Sequence, residues 1–573
     1  MSTQRTGTIL ADQLIDWGVN HVYGLPGDSI NEFIDDLRKE QERIKFFQVR
    51  HEETGALAAA AYAKLTGKLG VCLSIAGPGG IHLLNGLYDA KGDGAPVLAI
   101  VGQVSSEAVG TGAFQEVNLE RLFDDVAVYN ERAETESQLP DLLNQAIREA
   151  YAKKGVAVLV VPDDLFSVKQ KDEERLTAQA YYKPTITPRD EQLKEARQLI
   201  EKAENPVILA GKGTSDSQTE LIDFAETIKA PIVLSLLAKG VIPDNHPYCL
   251  GHHGQIGTKP AYKAIKECDL LLLIGTQFPY RDFLPDHVQA IQIDNEPEHL
   301  GKYYPIELGI AGDAKQTLSG LTKLISPRSE NPNLERYQDM MNQWRVSLQK
   351  EKRSEEDPLH APQVMFELEK HMKSQAIVST DVGSVTVWAS RFLPLVDQKF
   401  LISGWLATMG VGLPGAIAAQ IAYPDRQVIG ICGDGGFSMG MQDFVTAVKY
   451  DLPVKMVVLN NSKIAMIKYE QAQMGHETFE TSLGEVDFAK FAEACGGEGY
   501  RIESYEDLST RMEQAFLSDK PAIIDVVIEE QAPLPGHIDY VSAVNFSKYI
   551  IKHFFETGEM DLPDMSKSWE RLK

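Results

Sequence analysis

Cysteine is scarce in this chain: Cys72, Cys249, Cys268, Cys432 and Cys495 are odd in number, far apart, and include no C-x-x-C pair. That pattern argues against a disulfide framework and against a zinc site, and it fits reduced thiols in a cytoplasm. Basic charge is also in short supply. Against 82 acidic side chains stand 56 Lys and Arg, a formal charge of −26. Nucleic acids are held by clustered Lys and Arg, so no nucleic-acid partner is expected. Long hydrophobic runs are missing. The longest, such as Ala95–Val101 and Val156–Val161, are strand-sized, whereas a spanning helix needs about 20 apolar residues. The amino terminus shows no apolar segment of signal-peptide length before a helical pattern begins. What is present, 43% hydrophobic and 24% charged over 573 residues, is an ordinary globular composition sufficient for about three to five domains.

Short β-branched runs recur at Val71–Ile75, Pro96–Val101, Val156–Val161, Val207–Leu209, Ile232–Leu234, Leu270–Ile274, Ile291–Ile293, Val428–Cys432, Val454–Leu459 and Ile523–Ile528, with stretches of helical period between them. Alternating strands and helices predict an α/β fold with parallel sheets covered on both faces. Within that alternation one unit repeats: a strand, a Gly-rich turn, a helix, then Pro-Val or Pro-Ile opening the next strand. It occurs as Ala76-Gly-Pro-Gly-Gly80 to Pro96, Ala210-Gly-Lys-Gly213 to Pro231, and Cys432-Gly-Asp-Gly-Gly436 to Pro453, with 19, 20 and 20 residues from first Gly to Pro. Three such copies predict three doubly wound sheet domains of similar winding. The plainer reading is that any βαβ unit has about this length.

Polar, Pro-bearing stretches at Lys169–Asp190 and Ser326–Pro332, the latter followed by a charged helix through Arg353–Pro358, read as linkers. They divide the chain into residues 1–180, 188–330 and 355–530, with a tail from 531 to 573.

The sharpest chemical feature is Gly433-Asp434-Gly435-Gly436 at the end of one strand, with Asn460-Asn461 at the end of the next and Asn461 placed 27 residues after Asp434. In a parallel sheet both ends open on one crevice. A carboxylate and an amide oxygen there are hard ligands suited to Mg²⁺, and the glycines let backbone amides approach a diphosphate. A second cluster, Val49-Arg-His-Glu52-Glu53, precedes the Ala-rich segment Gly55–Leu65; taken alone, its acids merely suit a helix N-terminus. A G-x-G-x-x-G at Gly410, Gly412 and Gly415 contains Pro414 and lacks the acid about twenty residues on, so a nicotinamide site is rejected.

The Asp434–Asn461 spacing is the thiamin diphosphate signature, and over roughly residues 5 to 535 the chain resembles the thiamin-diphosphate enzymes of the pyruvate oxidase and acetohydroxyacid synthase group. The resemblance implies that Asp434, Asn461 and the Lys463 carbonyl hold Mg²⁺ and that Gly433, Gly435 and Gly436 line the diphosphate. It implies that Glu52 faces N1′ of the aminopyrimidine, where a shared proton activates the 4′-amino group, and that Met409 props the bent cofactor. As plain side chains, Met409 would be a core filler and His82 a satisfied helix histidine or a polar active-site group. Met466-Ile467-Lys-Tyr-Glu470-Gln471 looks like the oxidase run, with Glu470 where the synthases carry Trp. Ile467 and Glu470 would then lie beside the reacting carbon. Ala113-Phe114-Gln115-Glu116 resembles the oxidase loop facing flavin and substrate. A Rossmann-like central domain would hold FAD through Gly211, Gly213, Gly275, Thr276, Asp294, Asp313 and Ala314.

The expected activity is therefore oxidative decarboxylation of pyruvate by thiamin diphosphate, Mg²⁺ and FAD, with oxygen and phosphate or quinone and water as co-reactants. A non-oxidative 2-keto-acid decarboxylase or acetolactate synthase is the alternative within the group; a non-catalytic flavin-stabilised protein is the alternative outside it. The family architecture implies at least a homodimer and points to a dimer of dimers, in the cytoplasm. Phe546, Ile550, Ile551 and Phe554 share one helical face of the tail, opposite Lys548 and Lys552. That face docks on its own protein or makes peripheral membrane contact.

Overall fold

The computed structural model describes residues 3–171, 185–352, 355 and 357–531. Three six-stranded parallel sheets follow one another along the chain. A small antiparallel pair, β1 (Thr3–Arg5) with β8 (Lys169–Lys171), flanks the first. That sheet contains β2 (His21–Gly24), β3 (Lys45–Gln48), β4 (Gly70–Ser74), β5 (Val97–Gln103), β6 (Ala127–Arg132) and β7 (Val156–Pro162), in the order β3-β2-β4-β5-β7-β6. The central sheet contains β9 (Pro206–Ala210), β10 (Ile232–Leu234), β11 (Cys249–His252), β12 (Leu270–Ile274), β13 (Gln289–Asp294) and β14 (Leu308–Ala311), ordered β11-β10-β9-β12-β13-β14. The last contains β15 (Ile377–Thr380), β16 (Lys399–Leu401), β17 (Val428–Gly433), β18 (Lys455–Asn460), β19 (Glu498–Ile502) and β20 (Ala522–Val527), ordered β16-β15-β17-β18-β20-β19. The interior strands are buried along nearly their whole length, as sheets covered on both faces require.

The expected α/β class and the three parallel-sheet domains are present, but the expectation of three similar windings is corrected. The first and third sheets share one order. The central sheet instead reverses direction between β9 and β12, the order of a dinucleotide-binding sheet. Its Gly-rich turn follows the first strand of its sheet; in the other two domains the turn follows the third strand. Which strands become neighbours is decided by long-range pairing, so equal turn spacing does not imply equal topology.

One linker expectation needs revision: Lys169–Lys171 is a strand. The helix expected after Ser326–Pro332 spans Pro332–Lys352 and buries Tyr337, Met341, Trp344 and Leu348 in a core shared with the last domain. A second shared core joins the first and last domains, where the Ala-rich helix Glu52–Thr66 lies on the helix Gly412–Ala422. Small side chains also let the helix Leu84–Gly92 approach Glu52–Thr66 closely: at Gly86 a Cβ would lie 2.5 Å from that of Ala56. Gly412 and Gly415 serve packing too, since a Cβ on either would collide with Cys432 or Ser379. The cysteines are all free. Among the described residues no helix is long and apolar enough to cross a membrane. Most of the tail, including the Phe546–Phe554 stripe, lies outside the described residues.

Candidate active site

Strand β3 delivers the chain to Glu52, the first residue of the helix Glu52–Thr66. The Glu52 carboxylate is buried and its Oε2 lies 2.9 Å from His82 Nδ1. His82 ends the short helix Pro78–His82, and its half-exposed ring stacks on His51 with centroids 4.3 Å apart. The Gly77–Gly80 turn lies between Glu52 and the Phe114–Gln115 loop. A Cβ on Gly79 would be 3.2 Å from Glu52 Oε1, and one on Gly77 would be 2.6 Å from the Gln115 carbonyl oxygen. Gln115 itself has φ 64°. Glu116 fixes this loop by accepting from the amides of Gly110, Gly112 and Ala113. Glu52, His82, Phe114 and Gln115 are thus gathered around one turn, although Phe114 is 88% exposed. Glu52 and Glu53 occupy a helix first turn, where acids suit the helix dipole.

The second cluster forms where β17 and β18, adjacent and parallel, end on the same edge. Asp434 Oδ1 accepts from the Gly435 amide at 2.9 Å, and Oδ2 accepts from the Lys463 amide at 3.2 Å. Asn461 Oδ1 accepts from that same amide at 3.1 Å, so the two side-chain oxygens converge. The turn between them needs a left-handed residue, Ser462, at φ 54°. Burial pushes the Asp434 carboxyl up to about 6 despite the amides of Gly435, Ser462 and Lys463. A buried carboxylate and amide oxygen on one focus are hard donors, and they fit a Mg²⁺ ion that retains phosphate and water ligands. The glycines provide the room: at Gly435 a Cβ would meet Leu483 at 3.2 Å and Met409 Cε at 3.3 Å. Met409 therefore faces the Asp434 turn and belongs to none of the hydrophobic core clusters. Ile467 and Glu470 sit three residues apart on the helix Ala465–Gln473, hence on one face, with Ile467 43% exposed. Asn460, by contrast, is structural, bonded to Asp525 and the Val486 carbonyl.

Asp381 escaped the sequence reading. It follows β15, is fully buried, and accepts from the Gly410 amide at 2.9 Å, fixing the residue after Met409. A Cβ on Gly436 would lie 2.8 Å from the Asp381 carboxylate, so this acid joins the Met409 turn to the Gly-Asp-Gly-Gly turn. Its signal was an acid closing the β-branched run Ile377-Val-Ser-Thr380.

In the central domain, the turns after β9 and β12 meet at the reversal point. A Cβ on Gly213 would be 2.7 Å from Gly275 Cα, and a Cβ on Gly211 would overlap the Gly275 carbonyl. Only glycine tolerates this approach, and ligands of doubly wound sheets bind beside such a point. Buried Thr276 follows Gly275. Asp294 ends β13 with its carboxyl raised by burial, bonded to the Glu296 amide at 2.9 Å. The arrangement fits a dinucleotide, with one restriction: Asp313 caps the helix Ala314–Leu324 by accepting from the Gln316 amide at 3.0 Å, so its carboxylate is already engaged.

Within the chain, Glu52 hydrogen-bonds to His82, while Asn85 bridges Glu53 and Thr408, the residue before Met409, at 2.6 and 2.9 Å.

Comparison with known proteins matches the N-terminal TPP-binding domain of thiamine pyrophosphate enzymes over residues 4–122, their central domain over 193–321, and their C-terminal TPP-binding domain over 381–526. The chain is similar to a Bacillus subtilis protein described as thiamine pyrophosphate-containing, YdaP, with 52% identity over the whole of both chains. It is 39% identical to a pyruvate oxidase of Lactiplantibacillus plantarum, covering 98% of this chain and 94% of that one. It is 34% identical to a protein of Methanocaldococcus jannaschii described as an acetolactate synthase large subunit, covering 90% and 91%.

Proposed function

Since the chain belongs to the thiamine pyrophosphate enzyme family, we propose that it oxidatively decarboxylates pyruvate with thiamin diphosphate, Mg²⁺ and FAD. When bound, thiamin diphosphate supplies a carbon nucleophile and electron sink for a 2-keto acid, and FAD accepts two electrons. Asp434 and Asn461, with the Lys463 carbonyl, hold Mg²⁺ against the diphosphate, which Gly433, Gly435 and Gly436 admit. Glu52 holds the proton shared with the aminopyrimidine, and His82 orients the Glu52 carboxylate through their 2.9 Å contact. Ile467 and Glu470 flank the substrate, while Phe114 and Gln115 close the flavin side. Gly211, Gly213, Gly275, Thr276, Asp294 and the Asp313–Ala314 backbone seat the FAD.

The observation carrying the oxidase reading is the Ile467–Glu470 face beside the Asp434 site, in a run that has Glu where a synthase carries Trp. Two balanced outcomes follow: pyruvate, phosphate and oxygen give acetyl phosphate, CO₂ and peroxide, or pyruvate, quinone and water give acetate, CO₂ and quinol. A quinone acceptor goes together with peripheral membrane contact by the tail. The exposure of Phe114 and Ile467 supports a homo-oligomer, a dimer of dimers, in which two chains complete each site. The synthase relatives support acetolactate formation as the second reading. Product analysis separates them: the account expects acetyl phosphate or acetate in step with CO₂, and acetolactate or acetaldehyde as the main product would refute it.

A further inference from the structure

The helix that begins at Glu52 has no cap of its own: His51 occupies the cap position and makes no side-chain bond to the helix start. Helix starts usually satisfy their free amides with a local side-chain oxygen. Here the chain leading into the helix is instead held from another domain, at Gln48 and Arg50. The helix Asp434–Gly440 runs on through Met441–Asp443 into the helix Phe444–Lys449. From that segment Asp443 Oδ1 accepts the Arg50 amide at 2.7 Å, the Tyr450 hydroxyl accepts the Gln48 amide at 2.8 Å, and Lys449 Nζ donates to Gln48 Oε1 at 2.5 Å. Asp443 is fully buried, and Thr446 also donates to it, at 2.8 Å. Asp443 therefore grips the chain two residues before Glu52. A carboxylate at this end of the helix also suits the helix dipole.

We propose that Asp443 is a positioning residue for Glu52, setting the direction of its carboxylate from the opposite domain without touching cofactor or substrate. The proposal rests on the reading of Glu52 as the carboxylate that faces the aminopyrimidine. It also means that the segment continuing from the Mg²⁺ turn of a chain holds the Glu52 of that same chain, joining two groups which the proposed dimer assigns to different sites.

The test is the rate of hydrogen–deuterium exchange at C2 of thiamin diphosphate bound with Mg²⁺ to the full-length protein, measured without pyruvate. Asp443→Ala is expected to slow exchange by about 10–100-fold, the range that a misplacement of about 1 Å produces, with thiamin diphosphate affinity changed less than about threefold. Asp443→Asn keeps an oxygen acceptor for the Arg50 amide and is expected to restore most of the rate. Because Asp443 acts through Glu52, the double variant Asp443→Ala/Glu52→Gln should exchange no more slowly than Glu52→Gln alone. Unchanged exchange in Asp443→Ala, or a double variant slower by the full Asp443→Ala factor, overturns the positioning role. Unchanged exchange in Glu52→Gln overturns the reading of Glu52 instead, so the two failures are distinguishable. Should Asp443→Ala fail to fold, Thr446→Val, which removes the hydroxyl donor to the Asp443 carboxylate, carries the test: slower exchange supports the proposal and an unaltered rate refutes it.

Discussion

Replacing Asp434 by Asn should make the cofactor-free protein more stable while abolishing its response to Mg²⁺. The Asp434 carboxyl is 5% exposed, and burial holds it at about 6 instead of 3.8. At about 1.4 kcal/mol per tenfold, its ionisation costs the folded state about 3 kcal/mol. The sign follows from linkage: for an acid raised on folding, the penalty is absent below the unfolded value, grows between 3.8 and 6, and is complete above 6. An Asn side chain removes the charge and keeps one oxygen for the Gly435 or Lys463 amide. In chelator, Asp434→Asn should therefore gain up to about 3 kcal/mol at pH 7.5, a midpoint rise of at most about 6–12 °C. The gain should fall to about half at pH 5 and nearly vanish by about pH 4. Adding Mg²⁺ and thiamin diphosphate should raise the wild-type midpoint and leave the variant's unmoved. Thermal unfolding by circular dichroism across this pH range reads both effects. An equal rise on cofactor addition in both proteins would refute Asp434 as the metal ligand, and a pH-independent difference would refute the burial argument.

Three further outcomes are expected. His252 and His253, buried at the end of β11 and lowered by desolvation to about 3 and about 4, contribute stability that is full above about 6.5 and is lost as pH falls toward those values. Each costs about 2 kcal/mol at pH 5, so His253→Gln should lower the acid-unfolding midpoint, and an unmoved midpoint contradicts this. Gly211→Ala should abolish soluble expression because its Cβ overlaps the Gly275 carbonyl, whereas Gly435→Ala, meeting only flexible side-chain ends at 3.2 and 3.3 Å, should fold normally and weaken thiamin diphosphate binding by calorimetry. Equal solubility of the two would refute the packing argument. Lys64 is buried between Asp89 at 2.6 Å and Asp93 at 2.5 Å; Lys64→Met strands two carboxylates and should cost about 3–5 kcal/mol, measured as a fall in thermal midpoint that Asp89→Asn partly reverses.

The parts of the fold legible in sequence were those encoded locally. Interior strands such as Leu270–Ile274 are continuous apolar runs because both faces are buried. Strands that gave no such signal lie mostly at sheet edges: Lys399–Leu401 is three residues long, and Glu498–Ile502 mixes charge and glycine because it is only partly covered. The winding of the central sheet was not legible, since β12 joining β9 pairs residues 64 apart, such as Leu270 with Pro206, which no turn motif encodes. In the site, Asp434 and Asn461 were legible because neighbouring strands bring their ends together at a fixed sequence interval. Asp381 and Asp443 were not. Their partners include backbone amides 29 and 393 residues away, and an isolated acid carries no mark of such a partner.

The central claim is that electrons from a decarboxylated 2-keto acid reach a flavin on this chain. The direct measurement is the absorption spectrum of the protein reconstituted with thiamin diphosphate, Mg²⁺ and FAD, mixed with pyruvate in the absence of oxygen. The account predicts loss of the oxidised flavin bands in step with CO₂ release, and no such loss when thiamin diphosphate is omitted. Release of CO₂ with an unchanged flavin spectrum would contradict it.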